Sequence, residues 1–172
     1  MAEPEVWMRG PVAGVPPLLM PAAHALLGAL EDIEAAVAGL TPDKLWARPG
    51  GAASVGFHLL HVPGSMDRLL TYARGEMLDD AQRAALEAEK TAGEPRIALE
   101  VLLANLRAAT DRALAQIRAT PESDLLAHRG VGRAQLPSNV LGLIFHTAEH
   151  TQRHTGQIIT TARIVRGTSD SR

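Results

Sequence analysis

The stretch from Asn139 to Arg166, NVLGLIFHTAEHTQRHTGQIITTARIVR, decides how the chain is read. At about 100° per residue, Val140, Ile144, Ala148, Thr151, Thr155, Ile158, Ala162 and Val165 fall in one stripe, so the stretch reads as one long amphipathic helix. It holds His146, His150 and His154, three of the seven histidines. His150 and His154 sit one turn apart on the shoulder of the stripe, the i, i+4 spacing at which two imidazoles can reach one cation.

Three more long helices surround this one. Pro17 to Leu40 is expected to be the first, with Leu19, Ala22, Ala23, Leu26, Leu30, Ile33 and Val37 inward and Gly39 closing it. Thr41-Pro42-Asp43 starts a short turn through Leu45 and Trp46. Ser54 is a capping residue for the second long helix, Val55 to about Gly75, whose stripe is Val55, Leu59, Val62, Met66, Leu69, Leu70 and Ala73. Pro63 inside it predicts a kink beside His61. Asp79 to Lys90 is a short charged helix, with Asp79, Asp80, Glu87 and Glu89 on a solvated face. Thr91 to Pro95 is a connector. Pro95 to Ala119 is the third long helix, with Ile97, Val101, Leu102, Leu106, Ala109, Ala113 and Ile117 apolar. His128 to Pro137 reads as a loop, and Ser138 as the cap of the last helix. No strand pattern competes. The expected fold is all-α: a four-helix bundle with a short extra helix between the second and third long helices.

At 172 residues the chain is expected to form one domain, with an irregular arm over residues 1–16, pinned by Trp7, and a polar tail over 167–172. A net charge of −2 leaves no basic footprint for nucleic acid. The absence of cysteine excludes disulfides, thiolate metal sites and a cysteine nucleophile. Pro11 to Leu30 lacks charge, but its four prolines and His24 argue against a membrane span. Glu3 and Glu5 stand where a signal peptide carries basic residues.

The chemistry lies in the histidines. The second long helix offers His58 or His61 and the last offers His150 and His154. Three neutral imidazoles plus an open position make a catalytic-type metal site. His146-Thr-Ala-Glu149-His150 fits the inverted zinc-protease pattern H-x-x-E-H. It lacks a downstream acidic ligand, and Glu149 lies about 100° round the helix from His150. Gln157, one turn past His154, shares its face. No serine lies in G-x-S-x-G, and there is no P-loop or dinucleotide fingerprint.

Four segments together resemble the DinB/YfiT-like superfamily, in its DinB_2 branch. They are Trp7-Met8-Arg9-Gly10-Pro11, Pro21-Ala22-Ala23-His24, Ser54-Val55-Gly56-Phe57-His58-Leu59-Leu60-His61, and Ala148-Glu149-His150-Thr151-Gln152-Arg153-His154-Thr155-Gly156-Gln157. The likeness runs over about residues 5–166, and its C-terminal H-x-x-x-H-x-G-Q is the most specific part. It implies a four-helix bundle, commonly a homodimer. It also implies a divalent metal, nickel or zinc before iron or manganese, held by three histidines. Carried over by position these are His61, His150 and His154. Helical phase puts His58 nearer the core stripe, so His58 stands as the substitute ligand. Pro63 replaces the small residue usual in the family.

The resemblance implies a metal-dependent enzyme, a thiol S-transferase or hydrolase acting on small electrophiles in stress or detoxification. His58, Ser65, Tyr72, Arg153 and Gln157 are the expected pocket residues, and a low-molecular-weight thiol the expected co-substrate. A cytoplasmic protein without membrane or nucleic-acid partners is expected. The rival reading is a non-catalytic metal-binding stress protein, in which the cation is structural.

Overall fold

The computed structural model describes residues 3–91 and 96–167. Among these, the chain is mostly helical. Four long helices, α1 (Met20–Val37), α3 (Val55–Ala73), α5 (Leu99–Ala119) and α6 (Val140–Gly167), are joined through the short helices α2 (Pro42–Trp46) and α4 (Asp80–Ala88). A two-stranded antiparallel hairpin, β1 (His128–Val131) and β2 (Leu136–Asn139), precedes α6. No helix among the described residues is long and apolar enough to cross a membrane.

Helix α6 packs against α1 and α3, and α5 packs against the same two from the other side. All eight residues of the predicted α6 stripe are buried. Three buried threonines of α6 satisfy their hydroxyls within the helix. Thr147 donates to the Leu143 carbonyl at 2.8 Å, Thr151 to Thr147 at 2.8 Å and Thr155 to Thr151 at 2.9 Å. This back-bonding lets short polar side chains line a buried face without an orphaned group. Leu26, Ile33, Leu59, Leu102, Leu106, Ile144 and Ile158, each at 1% exposure or less, fill the space between the four helices. Aliphatic side chains dominate the core, as an aromatic content of 3% requires.

The caps explain where the helices begin. Ser54 Oγ accepts from the Phe57 amide at 3.1 Å and opens α3. Thr41 Oγ1 accepts from the Lys44 amide at 3.4 Å and opens α2, with Pro42 at its first position. Asp79 and Gln82 form a reciprocal capping box at the start of α4. Trp46 lies against α3, and only a glycine fits beneath it: a Cβ on Gly56 would stand 2.8 Å from three ring atoms of the indole.

Several expectations are corrected. Residues 128–139 are a hairpin and not a plain loop, paired from His128↔Asn139 to Val131↔Leu136. Four-residue strands carrying Gly130 and Pro137 show no alternation, which hid them. Asn139 rather than Ser138 caps α6, its Oδ1 accepting from the Gly142 amide at 2.7 Å. The second and first free amides there, Leu141 and Val140, donate to the Leu125 and Ala127 carbonyls. Helix α1 starts at Met20 behind a 3₁₀ turn over Pro17–Leu19. Helix α5 starts at Leu99. Val101, 51% exposed, faces outward while its neighbour Leu102 is buried. Helix α3 is one continuous helix with Pro63 inside it, so the proline does not end it. In the arm, Val6 is buried and Trp7 is 63% exposed, its indole N–H donating to Glu5, so Val6 supplies the anchor. Gly167 is the last residue of α6 rather than tail. Residues 92–95 of the connector and 168–172 of the tail lie outside the described residues.

Candidate metal centre

Helices α3 and α6 pack side by side. Their facing shoulders carry His58 and His61 on one side and His150 and His154 on the other. The Nε2 atoms of His61 and His150 stand 3.0 Å apart, and those of His150 and His154 3.1 Å apart. One ligand nitrogen from each of these three residues lies within 4.8 Å of the others.

The outward nitrogens fix how the rings present themselves. Nδ1 of His61 lies 2.7 Å from Oε2 of Glu89. The carboxylate is an acceptor only, so His61 carries its proton on Nδ1 and turns the Nε2 lone pair toward His150. Glu89 is itself gripped by Arg68, whose Nη1 donates to Oε1 at 2.6 Å and Nη2 to Oε2 at 3.3 Å. Burial alone would raise the Glu89 carboxyl. The hydrogen bonds from His61 and Arg68 and the charge of Arg68 outweigh it and hold the group below its ordinary value. Phe57 stacks on the His61 ring with centroids 5.7 Å apart and planes 7° from parallel.

His154 turns its Nδ1 to Nδ1 of His58 at 2.9 Å. His58 therefore backs His154 from the core side, 5% exposed, and does not join the three converging nitrogens. His150 differs from the other two. Its Nδ1 is buried with no hydrogen-bond partner among the described residues.

The donor set fits a divalent cation. Two nitrogens bound tetrahedrally at ~2.0–2.1 Å from zinc lie about 3.3–3.4 Å apart. The observed 3.0 and 3.1 Å spacings are a few tenths tighter. Imidazole donors also have to be neutral to bind. Burial, with the charge of His61 adding to it, pushes His58 down to about 4. Burial, then His61, His150, His58 and Arg153, push His154 down to about 4. Burial first, then His61, His146 and Arg153, also lower His150.

These shifts predict an acid-sensitive metal-free protein. The unfolded chain takes up protons near the ordinary histidine value of about 6.5. Folded His58 and His154 refuse them until about pH 4. The unfolded state therefore binds more protons between these values, and stability falls as pH drops from about 6.5 toward 4. Thermal melts of chelator-treated protein across that range are expected to show a falling Tm that His58→Gln flattens. A Tm independent of pH there would contradict the buried neutral imidazoles.

A family model, DinB_2, described as the DinB superfamily, matches residues 25–158. The chain belongs to the DinB superfamily. The matched range of this DinB-superfamily chain takes in all of α3 and the histidines of α6, and leaves the Trp7–Pro11 arm outside. No curated protein matches the chain significantly.

Of the residues expected to line a pocket, His58 lies against the cluster as described. Ser65 is buried and donates to the Val62 carbonyl at 3.0 Å. Tyr72 is half-buried, eleven residues beyond His61 on α3 and so ~16 Å along its axis. Arg153 is exposed and pairs with Glu149, which also bonds His146. Gln157 is exposed on α6. His24 bonds the Gly10 carbonyl at 2.9 Å. A cavity of about 250 Å³ lies beside two neighbours of His61, lined by Arg48, Ser54, Phe57, Glu89 and Lys90. A cavity of about 670 Å³ between the arm and α1, with Trp7, His24, Asp32 and Gln152 in its wall, touches none of the three converging histidines.

Two functional neighbours escaped the sequence. Glu89 was expected on a solvated face and is 8% exposed. Arg68 carried a signal: it sits seven residues after His61, on the same face of α3, with glycine one turn before it at position 64. A Cβ on Gly64 would stand 2.7 Å from Glu89 Oε1 and 2.8 Å from Arg68 Nη1, so the glycine makes room for the ion pair.

Proposed function

We propose that this DinB-superfamily protein is a divalent-metal-dependent enzyme, a thiol S-transferase or hydrolase of small electrophiles, with His61, His150 and His154 as its metal ligands. The convergence of three imidazole nitrogens from two helices carries this reading. Nickel or zinc suits an all-imidazole donor set. A bound ion supplies Lewis acidity that ionises a thiol or water near neutral pH.

The chain's own residues set the conditions for that chemistry. Glu89 holds the proton of His61 on Nδ1, which leaves its Nε2 lone pair free, and His154 offers its Nε2 in the same way when its Nδ1 donates to Nδ1 of His58. His58 thereby stays outside the ligand set, which keeps a coordination position open for a substrate. The cavity beside Phe57 and Glu89, two neighbours of His61, offers space for a small molecule, and Arg48 and Lys90 in its wall favour an anionic one. The four long helices form the supporting four-helix bundle of a single domain. A cytoplasmic homodimer working in stress or detoxification completes the proposal.

Metal content and turnover test it together. Tag-free protein is expected to hold close to one nickel or zinc per chain by mass spectrometry. The loaded protein is expected to conjugate low-molecular-weight thiols to electrophiles, or to hydrolyse activated substrates, and to stop when chelated. Protein that takes up no metal from nickel, zinc or manganese solutions would end the proposal. Protein that binds metal but melts on chelation, with no turnover in either screen, would favour the structural role instead.

A further inference from the structure

We propose that Glu89 is a positioning residue for His61, and that through it the docking of α4 and the grip of the three imidazoles on a cation form one linked equilibrium. The proposal rests on the metal-binding reading above and adds what steadies that site.

Helix α4 has an unusual attachment. None of its residues from Asp80 to Ala88 is buried, and Leu86, its largest apolar side chain, is 41% exposed. No apolar face holds it to the body. Two polar pins do so instead. At one end Gln82 Nε2 donates to Asp67 Oδ2 at 2.6 Å and to Thr71 Oγ1 at 2.7 Å, both on α3. At the other end the chain turns into a 3₁₀ segment, Glu89–Thr91, and drives the Glu89 carboxylate down between His61 and Arg68. Glu89 is the only buried residue of that turn among the described residues.

That carboxylate selects one state of His61. With it docked, the ring must donate from Nδ1 and expose the Nε2 lone pair to the cluster. With it withdrawn, Phe57 still stacks on the ring but no other hydrogen bond at Nδ1 among the described residues selects that tautomer, and a ring protonated on Nε2 is no ligand. A cation on Nε2 in turn keeps the proton on Nδ1, which keeps the hydrogen bond that docks α4. Linkage makes the two effects equal and reciprocal. Arg68 completes the arrangement by giving the carboxylate a partner when His61 is its only other contact. Gly64 supplies the space.

The test measures zinc affinity by competition with a chromophoric chelator for wild type, Glu89→Gln and Glu89→Ala. Amide exchange of α4 is followed with and without zinc. Glu89→Ala is expected to lose about 10–100-fold in affinity, the range for an outer partner of a metal-bound histidine. Glu89→Gln is expected to fall between, because the carboxamide oxygen still accepts from His61. In wild type, zinc is expected to slow exchange in α4, and in Glu89→Ala it is expected to have no such effect. A folded Glu89→Ala with wild-type zinc affinity overturns the proposal while leaving the metal site standing. If Glu89→Ala does not fold, a Glu89→Gln variant with unchanged affinity and an α4 indifferent to zinc overturns it instead. Wild type that binds no zinc removes the metal reading and this proposal together.

Discussion

Arg68→Ala is expected to lower the folding free energy by about 3–5 kcal/mol, as removal of one partner of a buried ion pair does. Arg68 and Glu89 are each 8% exposed, so the pair is largely shielded from solvent. The remaining carboxylate would keep only the His61 hydrogen bond. Urea denaturation of the metal-free variant measures the loss. The double variant Arg68→Met/Glu89→Gln is expected to recover much of it, because it removes the uncompensated charge along with its partner. A loss under about 1 kcal/mol for Arg68→Ala would place the pair with exposed bridges and contradict its burial.

The second large effect separates ligands from supports. His150 takes part in both short Nε2 contacts, to His61 and to His154. His150→Ala is expected to weaken nickel or zinc binding by more than about 100-fold, beyond the ~10–100-fold range of an outer partner. His58→Ala is expected to stay within that range, because His58 meets the outer nitrogen of His154. Isothermal titration of both variants decides the matter. Equal losses would make His58 a fourth ligand and close the position a substrate needs.

Long-range periodicity made much of this legible from residues alone. Helix α6 repeats its apolar pattern for 28 residues, long enough that its phase is unambiguous and its whole stripe is buried. Single-residue caps were legible where one candidate stood alone, as at Ser54. They were not where Ser138 and Asn139 stood side by side and the hairpin chose the second. Val101 and Leu102 failed in the same way: here one of two adjacent apolar residues faces outward, and the pattern on either side did not say which one would.

The histidines show a subtler limit. Phase put His58 nearer the core than His61, and it is. Depth is what removes it from the cluster, since a ring so far inside meets the back of His154 and not the open faces of the others. Glu89 had no local signal at all. It lies in the 3₁₀ turn after a short, exposed helix, and only the fold of the α3–α4 connection brings its carboxylate to a histidine 28 positions earlier.

The pairing of His61 with His150 has one more consequence. The two rings are 89 residues apart in sequence and 3.0 Å apart in space. Anything that grips both closes a loop enclosing most of α3, all of α4 and α5 and the hairpin. By the reckoning used for disulfides, a cross-link over such a loop removes about 4–5 kcal/mol of unfolded-chain entropy. In a chain with no cysteine, a cation seated there would be a staple that forms and opens with metal supply; unlike a disulfide, it would stabilise by its affinity for the native arrangement and let go of the unfolded chain.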